Sequence, residues 1–279
     1  MKKLILIIAS IVFSAASMAI EKDTTKITIR EKVILIIDES GDTSDIVLSD
    51  TSSNVSKRKR ATRDSHWAGF DLGVNGFLTP DGSTSLDPKD SFLDLNYSKS
   101  VVVNLNPFEK YIPIKGDRFG ILTGLGFQFN SYDLKTNNRL ITTPSTDSTK
   151  SQLSSFRDSL NMASVSKNKF KATYLTVPIL FEYNDAKLAR KGFHFSAGMV
   201  FGYRIGSKNK MKYTTPSGNN KKDKYRDDFN LNPFSMALTT RFGVGWVNLF
   251  ATYNLSPLFE KDKGPELYPF TVGITLLDF

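Results

Sequence analysis

Cysteine is absent from this 279-residue chain, which excludes disulfides, thiolate metal sites and lipid anchoring through an N-terminal Cys. Histidine occurs only at His66 and His194, far from any metal-binding spacing. There is no HExxH, no GxSxG and no phosphate-cradling glycine loop, so the sequence points to no catalytic residues, no metal and no cofactor. Long apolar runs are also missing. Past the N-terminus nothing approaches the roughly 18–20 residues that a membrane-spanning helix needs, and a helical membrane protein is excluded.

At the N-terminus, Lys2 and Lys3 precede the apolar run Leu4 to Phe13 and the small residues Ser17 and Ala19. That pattern predicts a secretory signal peptide over residues 1–19. Residues 20–65 then read as a polar periplasmic leader. Within it KITIREKVILIID (26–38) has the patterning of a short β-hairpin, and SKRKRATR (56–63) is a basic linker suited to solvent or to anionic headgroups. Lys and Arg number 37 against 28 Asp and Glu. Nucleic acid is a poor partner for that excess, because the chain is exported and carries no recognition motif.

From His66 to Phe279 the chain alternates. GFHFSAGMVFGYRIG (192–206) sets Phe193, Phe195, Met199, Phe201, Tyr203 and Ile205 against His194, Ser196, Gly198, Gly202 and Arg204. A period of two means a strand with two different environments on its faces. Eight such segments begin near His66, Phe92, Arg118, Tyr174, Gly192, Pro233, Val247 and Tyr268. Pro178 breaks one of them and predicts a bulge there.

Eight alternating strands fit a soluble lipocalin-like barrel or a membrane barrel. The polar face is mostly Gly, Ser, Thr and Asn, which suits a cramped interior, whereas water would call for Lys and Glu. The apolar face is long and is bordered near strand ends by Trp67, Tyr97, Tyr183, Tyr203 and Trp246, as the aromatic girdles of a lipid-facing barrel would be. The expected fold is therefore all-β, an eight-stranded antiparallel transmembrane β-barrel over residues 66–279. Links at 79–90, 135–169, 207–232 and 260–267 would be external, and those at 106–117, 185–191 and the Trp246–Val247 turn periplasmic. Asp71, Asp94, Arg118, Glu182, His194, Arg204 and Arg241 fall on the inner face, where burial would pair them as a structural polar plug without catalysis.

HWAGFDLGVNGFL, LNYSKSVVVNLNPFEKYIPI, ILTGLGFQFNSYDL, YLTVPILFEYN, GMVFGYRIGSK and LSPLFEKDKGPELYPFTVGITL together resemble the PorT-like outer-membrane β-barrel proteins of the Bacteroidetes group, over about residues 66–279. The resemblance implies a bacterial outer-membrane location and, for the founding member, a part in protein secretion. Phe279 is in phase with Thr275 and Gly273, not with the apolar face, although such barrels usually end on an aromatic residue in that face. Expected partners are outer-membrane lipid and lipopolysaccharide, the barrel-assembly machinery, and a secretion or envelope protein. Two functions follow: a non-enzymatic structural or accessory barrel with a plugged lumen, or a surface-binding protein acting through the basic external loops 135–169 and 207–232.

Overall fold

The computed structural model describes residues 24–29, 32–37, 66–115, 118–144, 151–185, 192–244 and 247–278. The expected signal peptide, the basic linker 56–63, Trp246 and Phe279 lie outside them. Two compact units divide at Thr62 and Arg63. In the first, β1 (Thr24–Ile29) and β2 (Lys32–Ile37) form an antiparallel hairpin, from Thr24 opposite Ile37 to Ile29 opposite Lys32.

The second unit is a barrel. Its wall consists of β3 (Gly69–Leu78), β4 (Val101–Lys115), β5 (Phe119–Asp133), β8 (Ser164–Asn184), β9 (Phe193–Thr214), β11 (Phe234–Val244), β12 (Val247–Asn254) and β13 (Tyr268–Asp278). Each pairs antiparallel with its sequence neighbour in that series, and β13 returns to β3. The ring of eight is therefore closed, so the wall has no terminal strand with an open edge. Three shorter strands sit in the connections: β6 (Arg139–Pro144) with β7 (Ser151–Phe156), and β10 (Asn220–Tyr225), which pairs with the far end of β9.

The two faces divide as the period requires. Phe181, Phe195, Phe201, Leu238, Phe242, Leu249, Val272 and Ile274 are exposed around the outside, while Asp71, Asn104, Thr176, Glu182, Ser196 and Thr239 are buried inside. An exposed apolar belt of this extent would be an aggregation hazard in water, and it is what the hydrocarbon core of a bilayer requires. Aromatic side chains edge the belt. At one end Phe119, Tyr183, Phe193 and Phe242 are linked by ring contacts of 4.9, 6.2 and 5.2 Å. At the other, Tyr203 meets Phe234 at 5.3 Å and Tyr253 meets Tyr268 at 6.2 Å. The first end carries the short connections after β4, β8 and β11, the pattern expected of a periplasmic end, and the second carries the long ones, the pattern expected of an external end.

Four expectations change. The second segment is not strand from Phe92: Pro88–Leu93 and Tyr97–Lys99 are 3-10 turns, and β4 begins at Val101. Its apolar positions Leu93 and Leu95 are buried under the external loops, so their alternation reflects packing there and not lipid. Conversely, 106–117 is mostly wall. A bulge between Leu105 and Phe108 absorbs Asn106 and Pro107, and the strand continues with Phe108, Ile112 and Ile114 exposed. An Asn-Pro pair reads as a turn, but a bulge accommodates the missing N–H equally well. At Pro178 there is no bulge. It stays opposite Val200, and on its other side the ladder resumes in the same register from Ile179 to Thr176. Finally, Trp67 is in the lumen and only 4% exposed, so it belongs to no girdle.

Leu238 lies mid-strand in β11, between Met199 and Tyr253, and is 47% exposed. Leu238→Arg is expected to lower unfolding free energy in lipid by about 2–4 kcal/mol, the penalty for a cation at the bilayer midplane. Denaturant unfolding in vesicles measures it, and an unchanged midpoint would show that this face does not meet lipid.

Candidate functional site

Two layers fill the interior. The lower layer is polar and begins where the chain enters the barrel. Residues 66–68 fold into the periplasmic mouth, because both backbone N–H groups of Trp67 and Ala68 donate to Glu109 Oε2, at 3.0 and 2.7 Å. Trp67 then packs against Leu122, Leu180 and Val200, and the Arg241 guanidinium stacks over its ring at 4.6 Å and over Phe250 at 5.5 Å.

Arg241 is the centre of this layer. Nη2 reaches Asp71 Oδ2 at 2.5 Å and Nη1 reaches Asp71 Oδ1 at 3.4 Å, a forked contact that matches guanidinium to carboxylate. Asp71 also accepts from Thr275 Oγ1 at 2.7 Å and from the amides of Asn104 and Asn106, each at 3.2 Å. Arg241 and Asp71 are both buried. Pairing, with further donors on the carboxylate, is the condition under which two charges tolerate burial.

Beside this pair the imidazoles of His66 and His194 stack with centroids 3.4 Å apart. His66 Nδ1 lies 3.3 Å from Glu182 Oε1, which also accepts from the Asn184 amide at 2.8 Å. Gly243 makes the stack possible, since a Cβ there would fall on the His194 ring. Among the described residues, no group of three His, Asp or Glu side chains is arranged to hold a metal ion.

The upper layer is apolar. External connections fold over the mouth and bury Phe170 of β8 with Phe229, Phe259, Leu140, Leu153 and Leu267. Phe170 touches Phe229 edge-on at 5.3 Å and Phe259 in a stack at 6.5 Å. Between the layers a cavity of about 20 Å³ remains, lined by Asn104, Asn106, Thr176, Thr239 and Arg241 among others. That is room for about one water molecule.

Of the seven side chains expected to share the lumen, Asp71, Glu182, His194 and Arg241 do so. Arg204 is half-buried higher up, opposite Tyr174, and donates to Ser207 Oγ at 3.3 Å. Asp94 ends a 3-10 turn in the first external loop, outside any strand, so parity says nothing about its direction. Arg118 is exposed at the periplasmic rim, where its carbonyl accepts the Asn184 N–H at 2.9 Å; at a strand end the inner face already opens to solvent. Sequence reasoning missed Trp67, Glu109 and Thr275 as luminal partners, and missed the apolar cap altogether. Its one available signal was the cluster of Leu and Phe in connections that otherwise read as polar.

The sequence model of a family described as outer membrane protein beta-barrel domain matches residues 52–260. Neither the curated proteins nor the solved structures contain a match.

Proposed function

We propose that this chain, which belongs to the outer membrane protein beta-barrel domain family, is a closed, non-enzymatic membrane anchor that acts through what it presents at its two ends and not through transport. The doubly filled lumen carries the proposal: Trp67 and the Asp71–Arg241 pair occupy it from below and the Phe170 cluster from above. Eight strands enclose a space that side chains can fill, and the cavity between the two layers measures only about 20 Å³. On this proposal residues 1–19 are the export signal and 20–65 a leader held in the periplasm, where the luminal anchoring of His66 to Ala68 would fix its point of departure.

Purified protein in planar bilayers is expected to stay silent under applied voltage. Steady ion-selective conductance would refute the closed-anchor proposal.

The resemblance to PorT-like barrels of the Bacteroidetes group favours a place beside a protein-secretion or envelope-assembly apparatus, with the leader as the contacting part. Crosslinking in intact outer membranes is expected to join residues 20–65 to periplasmic proteins. The alternative, a surface-binding protein or adhesin, gains support from the concentration of charge on the external strands.

A further inference from the structure

Above the upper aromatic ring, β8 and β9 continue outward, and β10 joins β9 to make a three-stranded external sheet. Its two faces differ sharply. The inner face buries Asn168, Phe170, Ala172, Asn209, Met211 and Tyr213 over the barrel mouth. The outer face is lysine on three successive rungs. Lys171 stands opposite Lys208; Lys169 opposite Lys210, with Lys224 beyond it; and Lys167 opposite Lys212, with Lys222 beyond.

Like charges directly opposite each other destabilise an antiparallel pair. Lys171 and Lys210 are both held below the ordinary lysine pKa, first by partial loss of solvent and then by the repulsion of neighbouring lysines. The one acid on β10 that could relieve this is turned away. Asp223 of β10 faces inward, where it takes Arg139 at 2.7 Å and the Tyr213 hydroxyl at 3.1 Å. Among the described residues only Asp133, 3.5 Å from Lys169, puts a carboxylate within ion-pair distance of the lysine face.

Where the face points identifies what it meets. On β8 the outward positions run Phe181, Ile179, Val177, Leu175, Thr173, then Lys171, Lys169 and Lys167, all of one parity. Lys171 and Lys167 thus continue the lipid-facing side of the wall; Lys169 lies on the same face, but its side chain is only 16% exposed and its ammonium is held by Asp133 and by the Lys99 carbonyl at 3.2 Å. On β9 the parity has to change, since Tyr203 and Ile205 face out and so do Lys208, Lys210 and Lys212. The register shift beside Thr173 and Tyr174 supplies the one extra residue that brings this about. Without it the β9 lysines would point into the apolar cap. Lys171 is four residues beyond Leu175, roughly 13 Å along the strand and about 10 Å in height at the usual tilt. That places the first rung at the level of the headgroups.

We propose that the outer face of the β8–β9–β10 sheet binds the phosphate groups of an anionic glycolipid headgroup, of the lipopolysaccharide class, in the outer leaflet of its own membrane. Spaced ammonium groups on adjacent rungs suit a headgroup carrying two separated phosphates, and each phosphate would relieve the repulsion between the lysines flanking it. The site depends on the apolar belt lying in the bilayer, but not on whether the lumen conducts.

The test titrates the full chain in neutral detergent micelles with bisphosphorylated lipid A and with the same lipid stripped of its phosphates, counting bound lipid by native mass spectrometry. The phosphorylated form is expected to be retained at least tenfold more tightly, with the preference shrinking as salt rises. Joint replacement Lys167→Gln, Lys171→Gln, Lys208→Gln and Lys210→Gln, which leaves the Lys169–Asp133 pair intact, should abolish the preference, while Arg at the same four positions should keep it. Heat-dependent gel migration verifies that both variants remain closed barrels. Equal retention of the two lipids, or an undiminished preference in the Gln variant, would overturn the proposal. Displacement of the lipid by millimolar inorganic phosphate would also overturn it, by showing a simple anion site with no preference for a headgroup. A barrel that conducted yet kept the preference would refute the closed anchor and leave the lipid site standing.

Discussion

Replacing Asp71 with leucine is expected to lower the unfolding free energy by about 3–5 kcal/mol, the range for removing one partner of a buried ion pair. The loss comes less from the contact than from what is left behind. Arg241 would remain buried, stacked on Trp67 and Phe250, with no carboxylate to neutralise it, and the Asn104, Asn106 and Thr275 donors would lose their acceptor. Adding Arg241→Met removes the stranded charge, so the double variant should be more stable than Asp71→Leu alone by at least about 2 kcal/mol. It should not regain wild-type stability, because the orphaned amides each still cost roughly 1–3 kcal/mol. Urea unfolding in detergent, followed by tryptophan fluorescence, reads both steps, since Trp67 sits against Arg241. Were the double variant no more stable than the single, Asp71 would be acting through some other neighbour.

The lower layer was partly legible in the sequence and the upper layer was not, for one physical reason. Within the wall, side chains alternate strictly, so Asp71, Glu182, His194 and Arg241 could be assigned to the interior from parity alone. Parity does not carry height, and so it could not say that Asp71 meets Arg241 across a separation of 170 residues while Arg204 sits well above both. Outside the wall, parity carries nothing. Leu93 and Leu95 alternate like strand residues and are in a loop, and Glu109, read as part of a loop, is in a strand and holds the chain's entry point. The basic character of 135–169 and 207–232 was legible, but not that their lysines and Lys171 line up on one face of a sheet, because these segments read as loops, where parity has no meaning. Only the register of β8, β9 and β10 aligns them.

The external cap has its own test. Phe170→Ala is expected to destabilise the cap by about 3–5 kcal/mol, the range for emptying a fully buried aromatic site. Phe170 is completely buried, and it joins the β8 wall to two separate external connections through Phe229 and Phe259. Phe229 and Asn230 both take positive φ, 51° and 53°, a conformation that a bulky side chain adopts only when its surroundings hold it there. The Phe229 ring is buried against Phe170 and Tyr225, and the Asn230 and Leu231 N–H groups donate to Asp228, so removing Phe170 withdraws part of the packing that offsets the strain. The closed ladder of the wall does not depend on this contact. Limited proteolysis should therefore cut the external connections of Phe170→Ala many times faster than those of the wild type, while the barrel keeps its heat-dependent gel migration. If the connections resisted cleavage as the wild type does, the cap would be held by its backbone pairing and not by its aromatic core; if the barrel itself opened, wall and cap would be a single cooperative unit.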